Sequence, residues 1–215
     1  MEIDALIFDC DGTLVDSEEI GLAAIVAAAQ EIGAEFESAD ELLRLKGSPM
    51  SQCLRIVEER LGKPLPSAFE STVRRRMSEV FRTSLKPMPG AADMLRQLRV
   101  PFCIASNGPR QKIELTLGIA GLLPLLEGRL FSAYEVGYWK PEPELFLHAA
   151  SAMGVAAHRC AVVEDSESGV RAALAAGMTV YLLRSAHSLP LELEARVKYI
   201  DQLPELVDEP WNRAR

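Results

Sequence analysis

From about residue 90 onward, segments of helical period alternate with short runs that are apolar at nearly every position. The pattern predicts helix 90–99, strand 100–105, helix 109–118, a strand near 130–133, helix 142–153, strand 160–164, helix 167–176 and strand 179–183. A strand that is apolar throughout has to be buried on both faces. Strands of that kind alternating with helices predict an α/β fold, a parallel sheet covered by helices on each side. One further apolar run, Ile3 with Ala5-Leu6-Ile7-Phe8, predicts a strand ahead of this series.

Between about 16 and 84 there is no strand signal. Leu22, Ile25, Val26, Ala29 and Ile32 recur at helical spacing until Gly33. Further helical patterns cover about 39–45, 50–61 and 66–84, with Gly47-Ser48-Pro49 and Lys63-Pro64-Leu65-Pro66 as breakers. This block is expected to be a small all-helical insert, with Lys86-Pro87-Met88-Pro89-Gly90 leading back to the main body. Asp16 with Glu19 three residues on reads as a capping box that has Asp in place of Ser or Thr. Tyr199-Ile200 reads as one more strand or turn, and Trp211 onward as a frayed or surface end.

The chain has 215 residues, of which 23 are basic and 31 acidic, a net charge of −8. That balance opposes binding to nucleic acid or to an anionic membrane. An anionic substrate would have to be drawn by local positive groups or a metal. No apolar run approaches the ~18 residues of a membrane span, and Met1-Glu2-Ile3-Asp4 lacks the basic-then-apolar pattern of a signal peptide. Cys10, Cys53, Cys103 and Cys160 include no CxxC pair and read as free thiols in a reducing cytoplasm. Arg74-Arg75-Arg76 reads as a solvated helix face.

In a parallel sheet the site lies outside the carboxyl ends of the strands, so the residue after each strand deserves scrutiny. Asp9 and Asp11 follow the first strand. Period two sends both to one side and Cys10 to the other, and two anions so placed need a cation or a shared proton. Taken alone, a solvated Asp-Asp-Gly turn would read the same way. Ser106-Asn107-Gly108-Pro109 follows the second strand; it suits either an anion at a helix start or a simple cap. Lys140, in Tyr138-Trp139-Lys140-Pro141, can neutralise a phosphate or a carboxylate. Glu164 and Asp165 end a buried strand, where carboxylates are costly unless paired, and a hard cation pairs them well. A helix cap by Asp165 or Ser166 explains that loop equally well in isolation. Together the four loops supply what phosphoryl transfer needs: a nucleophile and an acid, an anion clamp, and a metal site.

The ordered set Asp9-Cys10-Asp11-Gly12-Thr13, Ser106-Asn107, Lys140-Pro141 and Glu164-Asp165 resembles the haloacid dehalogenase-like hydrolase superfamily. The helical block after the first motif looks like the cap of its first subclass, shared by phosphoglycolate phosphatases and beta-phosphoglucomutase. Longer strings, such as Phe8 to Glu18 and Trp139-Lys140-Pro141, look closer still to bacterial phosphatases of sugar-acid phosphates such as 6-phosphogluconate. The resemblance implies a Rossmann-like catalytic core over 1–15 and 87–215 and a helical cap over 16–86. It implies that Asp9 attacks phosphorus to give an aspartyl-phosphate, while Asp11 serves as acid and then base. It further implies Mg²⁺ held by Asp9, the Asp11 backbone carbonyl, Asp165 and Glu164. Lys140, Ser106 and the Asn107 amide would orient the transferring oxygens, and Lys46 in the cap would contact the substrate. The expected partner is a small phosphorylated metabolite, and the expected state a cytoplasmic monomer or weak homodimer.

Departures narrow the chemistry. Dehalogenases and phosphonatases lack the second aspartate, which is present here as Asp11. The mutases carry a histidine where this chain has Gly21 and an arginine near Met50, so a phosphatase is favoured over a sugar phosphomutase. A non-catalytic binding module would be expected to have lost Asp9, Asp11 or the acidic pair, and all are retained.

Overall fold

The computed structural model describes residues 2–36, 50–126, 128–183 and 189–213. The helix expected over 39–45, and Lys46, lie outside those residues. The described chain divides into two compact units, Met1–Val15 with Lys86–Arg215, and Asp16–Leu85.

In chain order, β1 (Ala5–Phe8) is followed by α1 (Glu18–Glu31), α2 (Met50–Leu61) and α3 (Phe69–Ser84), which belong to the second unit. The first unit then continues through α4 (Ala91–Gln97), β2 (Phe102–Ser106), α5 (Arg110–Ile119), β3 (Leu130–Ser132) and α6 (Ala133–Val136). It is completed by α7 (Glu144–Ala152), β4 (Cys160–Glu164), α8 (Glu167–Ala175), β5 (Thr179–Leu183) and β6 (Lys198–Ile200). All six strands are parallel, in the order β3-β2-β1-β4-β5-β6. Every residue of β1, β2 and β4 is buried, as the unbroken apolar runs required.

The sheet is held by a core in which Leu145, Phe146 and Ala149 of α7 and Val170 and Ala173 of α8 join Ile7, Cys103, Val162 and Val180 of the strands. A fully buried Phe146 or Leu145 contributes roughly 1.5–3 kcal/mol. Strand order reverses at β1, which has β2 on one side and β4 on the other. Phe8 is in register with Ile104 on β2 and with Val163 on β4. The residues that follow these three positions therefore gather at one edge of the sheet, although they are far apart in sequence.

The helical unit has its own core, formed by Ile25, Ala28 and Ala29 of α1, Cys53 and Val57 of α2, and Phe69 and Val73 of α3. Gly21 allows α1 and α3 to approach closely, since a Cβ there would stand 2.9 Å from Met77 Cε. Arg74 and Arg75 pair along their own helix with Glu70 at 2.6 Å and Glu79 at 2.8 Å, while Arg76 reaches across to Glu31 on α1.

Two local expectations are corrected. The first helix does not start at a capping box on Asp16. Val15 is bridged to both Asp11 and Pro87, which keeps the chain extended up to that point. Ser17 then takes the cap position, without a side-chain cap bond. Nor are Trp211 and Asn212 frayed: Trp211 Nε1 donates to the Tyr181 hydroxyl at 2.8 Å. Asn212 is buried, accepting from the Arg99 N–H at 2.7 Å and donating to the Val207 carbonyl at 3.0 Å. Single side chains pairing with distant backbone groups hold this end, and hydrophobic periodicity carries no trace of them. Among the described residues, no helix is long and apolar enough to cross a membrane, and the four cysteines are buried and form no disulfide.

Candidate active site

Asp9 stands one residue beyond β1, and its N–H continues the ladder to the Val163 carbonyl at 3.0 Å. The next side chain, Cys10, is fully buried with its Sγ 3.8 Å from Thr116 Oγ1. Gly12 then turns the chain at a φ of 79°, a conformation that suits glycine. The turn is also too close to Asp165 for any side chain, because a Cβ at Gly12 would lie 2.1 Å from Asp165 Oδ2. Thr13 follows and donates its hydroxyl to Asp165 Oδ1 at 3.1 Å.

Lys140 enters from the loop before α7. Its Nζ lies 2.5 Å from Asp9 Oδ1 and 2.6 Å from Glu164 Oε1, with the Phe146 ring centroid 4.8 Å away. Burial alone would favour the neutral amine. The Asp9 and Glu164 carboxylates outweigh it and push the Lys140 pKa up, so the ammonium persists. Its backbone is clamped by the Asn107 side chain, whose Oδ1 accepts from Lys140 N–H at 2.9 Å and whose Nδ2 donates to Lys140 O at 3.3 Å. The Lys140–Pro141 peptide is cis.

Glu164 is the last residue of β4. Its second oxygen, Oε2, accepts from the Asp165 and Ser166 N–H groups, each at 3.0 Å, and from Ser166 Oγ at 2.9 Å. Ser166 in turn caps α8, accepting from the Gly169 N–H at 3.1 Å. The cap expected at this loop is therefore made by Ser166. Ser106, the last residue of β2, is buried and accepts from the Gly108 N–H at 3.0 Å, which leaves its O–H as a donor.

The structure thus brings Asp9, Asp11, Ser106, Asn107, Lys140, Glu164 and Asp165 to one edge of the sheet. Lys46 lies outside the described residues. One neighbour escaped sequence reading: Lys112, whose Nζ donates to Asp11 Oδ2 at 2.7 Å. Burial opposes its charge, but Asp11 outweighs that and raises the Lys112 pKa. Asp9 and Asp11, expected to need a cation or a shared proton, each meet a lysine. The available sequence clue was placement, since Lys112 is in the first turn of the helix that follows the Ser106 loop.

Asp9, Glu164 and Asp165 each offer a buried carboxylate oxygen, all within 4.8 Å of one another. With Asp11 that makes four carboxylates and, among the described residues, the Lys140 and Lys112 ammonium groups. The Asp9 carboxyl is pushed up to about 7, chiefly by burial, with Lys140 opposing and Glu164 and Asp11 adding. An oxygen-only donor set rich in carboxylates fits a hard divalent cation.

This has a measurable sign. In metal-free protein Asp9 keeps its proton to about pH 7, whereas in the unfolded chain it releases it near 3.8. Between those values the folded state binds more protons, so Asp9's contribution to stability is present below the unfolded pKa and is lost as pH rises through 7. Without metal, Asp9→Asn is expected to be more stable than wild type near pH 8, with the gap closing near pH 5.5. Magnesium should stabilise wild type more at the higher pH. Thermal melts of both proteins at each pH check this, and a gap independent of pH would contradict it.

A sequence model of the haloacid dehalogenase-like hydrolase family matches residues 3–177. The chain is 36% identical to the 6-phosphogluconate phosphatase of Escherichia coli, over 95% of this chain and 94% of that protein. It is 30% identical to a phosphorylated carbohydrates phosphatase of Thermotoga maritima, with 82% of each covered. Among solved structures, a hydrolase of this family from Deinococcus radiodurans, crystallised with bound phosphate and sodium, superposes with a TM-score of 0.76 at 31% identity. That match covers 95% of this chain and 93% of the other.

Proposed function

From the premise that the chain belongs to the haloacid dehalogenase-like hydrolase family and is a phosphoric monoester hydrolase, we propose that it acts on a small sugar phosphate or sugar-acid phosphate, 6-phosphogluconate among them. The observation that carries the reading is Asp9, a buried carboxylate at the end of the central strand, held by Lys140 and backed by two further acids.

In the proposed reaction a carboxylate oxygen of Asp9 attacks phosphorus. The new P–O bond to Asp9 forms as the bond to the substrate alcohol breaks, giving an aspartyl-phosphate. Asp11 delivers a proton to the departing oxygen and afterwards takes one from the water that cleaves the intermediate. Lys140 and the Ser106 hydroxyl would bind the transferring oxygens, where fixed donors act without reorganising. The Asn107 side chain serves by holding the Lys140 backbone, and Glu164 by holding the Lys140 ammonium and the Asp165 amide. Mg²⁺ would be held by Asp9 and Asp165, with Glu164 and the Asp11 carbonyl beside them, and would screen the nucleophile from the phosphate dianion. The Deinococcus hydrolase was crystallised with bound phosphate and sodium, which supports an anion and a cation as ligands of this chain. Selection among substrates is assigned to the helical unit, residues 16–86, including Lys46. Four buried cysteines, none in a disulfide, support a reducing, cytoplasmic location.

Phosphate release from a panel of phosphorylated sugars and sugar acids tests the reading. Release with magnesium, abolished by a chelator and restored by metal, is expected. Absence of release from every member of the panel, or isomerised sugar phosphate forming faster than free phosphate, would replace it.

A further inference from the structure

Asp11 is set apart from the Asp9–Lys140–Glu164 cluster by a cation of its own. The Lys112 ammonium donates to Asp11 Oδ2 at 2.7 Å, and each side chain is 26% exposed. Lys112 is the third residue of α5, and its N–H bonds the Pro109 carbonyl at 2.9 Å, closing the loop that begins at Ser106. Its stem runs beside Gly108, where a Cβ would lie 3.5 Å from Lys112 Cδ. The group that meets Asp11 is therefore anchored on the same strand-to-helix loop that presents Ser106.

We propose that Lys112 is a positioning residue that orients the Asp11 carboxyl for proton transfer to the leaving oxygen. The inference rests on the reading of Asp11 as the acid and base of phosphate-ester hydrolysis. Asp11 sits on a tight turn beside another carboxylate, and the Lys112 contact from the α5 side fixes the direction in which its carboxyl group lies. Lys112 engages Oδ2, and the Asp11 carboxyl group carries the proton. As the Asp9–phosphorus bond forms and the bond to the alcohol breaks, that proton passes to the alcohol oxygen. Lys112 keeps its own protons throughout.

A residue acting through the acid affects only leaving groups that need one. Alkyl phosphates need protonation, whereas p-nitrophenolate departs without it. The experiment measures kcat/KM for 6-phosphogluconate or glycerol phosphate, and for p-nitrophenyl phosphate, in Lys112→Met, Lys112→Gln, Lys112→Arg, Asp11→Asn and the double variant Asp11→Asn/Lys112→Met. Lys112→Met and Lys112→Gln are expected to lose about 10- to 100-fold on the alkyl ester and less than about threefold on the aryl ester. Lys112→Arg should recover most of the alkyl activity. In the Asp11→Asn background, Lys112→Met should change neither rate by more than about twofold, because the two residues act as a unit. Equal losses on both esters, or a further alkyl-specific loss in the Asp11→Asn background, would overturn the assignment while leaving Asp11 as the acid. An unchanged alkyl-to-aryl ratio in Asp11→Asn itself would instead overturn the role of Asp11, and this inference with it.

Discussion

Asp9→Asn is expected to lower phosphate release by about four orders of magnitude or more, with the fold intact. The amide keeps the shape of the carboxyl and can still accept from Lys140, but it has no anionic oxygen to attack phosphorus. Lys140 retains Glu164 as a partner at 2.6 Å, so the change does not strand a buried cation. Removing the Asp9 charge also relieves the cost of burial, and beside it the repulsion of the neighbouring carboxylates, that raise its pKa, and metal-free stability should therefore hold or rise near neutral pH. Steady-state assays with magnesium, together with melts of the same preparation, check both halves. Retention of more than about a hundredth of the activity would show that the attack comes from elsewhere.

Lys140→Met is expected to be the most damaging single change for stability. The Lys140 side chain is 2% exposed and faces the buried Asp9 and Glu164 side chains, at 11% and 1%. Methionine fills a similar volume but leaves the buried Glu164 and, above the pH at which it ionises, Asp9 without their cation, and such losses run to about 3–5 kcal/mol. Part of this is recoverable. Adding Glu164→Gln to Lys140→Met should restore some stability, because one of the stranded charges is then gone, whereas phosphatase activity should stay lost in both. Magnesium should also restore some stability, since it would supply the missing positive charge. Chemical denaturation of the single and double variants decides the matter. A loss under about 1 kcal/mol for Lys140→Met would mean that the carboxylates are better solvated than the structure indicates.

Much of the first unit was legible from residue pattern alone. Strands apolar at every position can only be interior strands of a covered parallel sheet, and β1, β2, β4 and β5 fall where those runs lie. The polar residues that interrupt the runs, Asp9, Ser106 and Glu164, became one sheet edge once strand order was known, because register aligns Phe8 with both Ile104 and Val163. Less visible were features that depend on where one side chain meets another across long separations. Lys112 reaches Asp11 over 101 positions, and Asn107 clamps Lys140 over 33. A lysine or an asparagine near a helix start is common, and nothing in its local sequence says which partner it meets. The docked C-terminal segment was missed for the same reason: Trp211 and Asn212 are held by polar bonds rather than by a periodic apolar face.

The central claim is that phosphate passes through the Asp9 side chain. Rapid acid quench of the Asp11→Asn variant with labelled p-nitrophenyl phosphate tests it most directly, because that leaving group needs no acid while loss of the base should slow hydrolysis of the intermediate. The account predicts one phosphoryl group on the protein, removed by hydroxylamine and mapped to the peptide containing Asp9, and no label when Asp9→Asn is added. Phosphate released by wild type with no protein-bound label in either variant, or a label mapped to another residue, would contradict it.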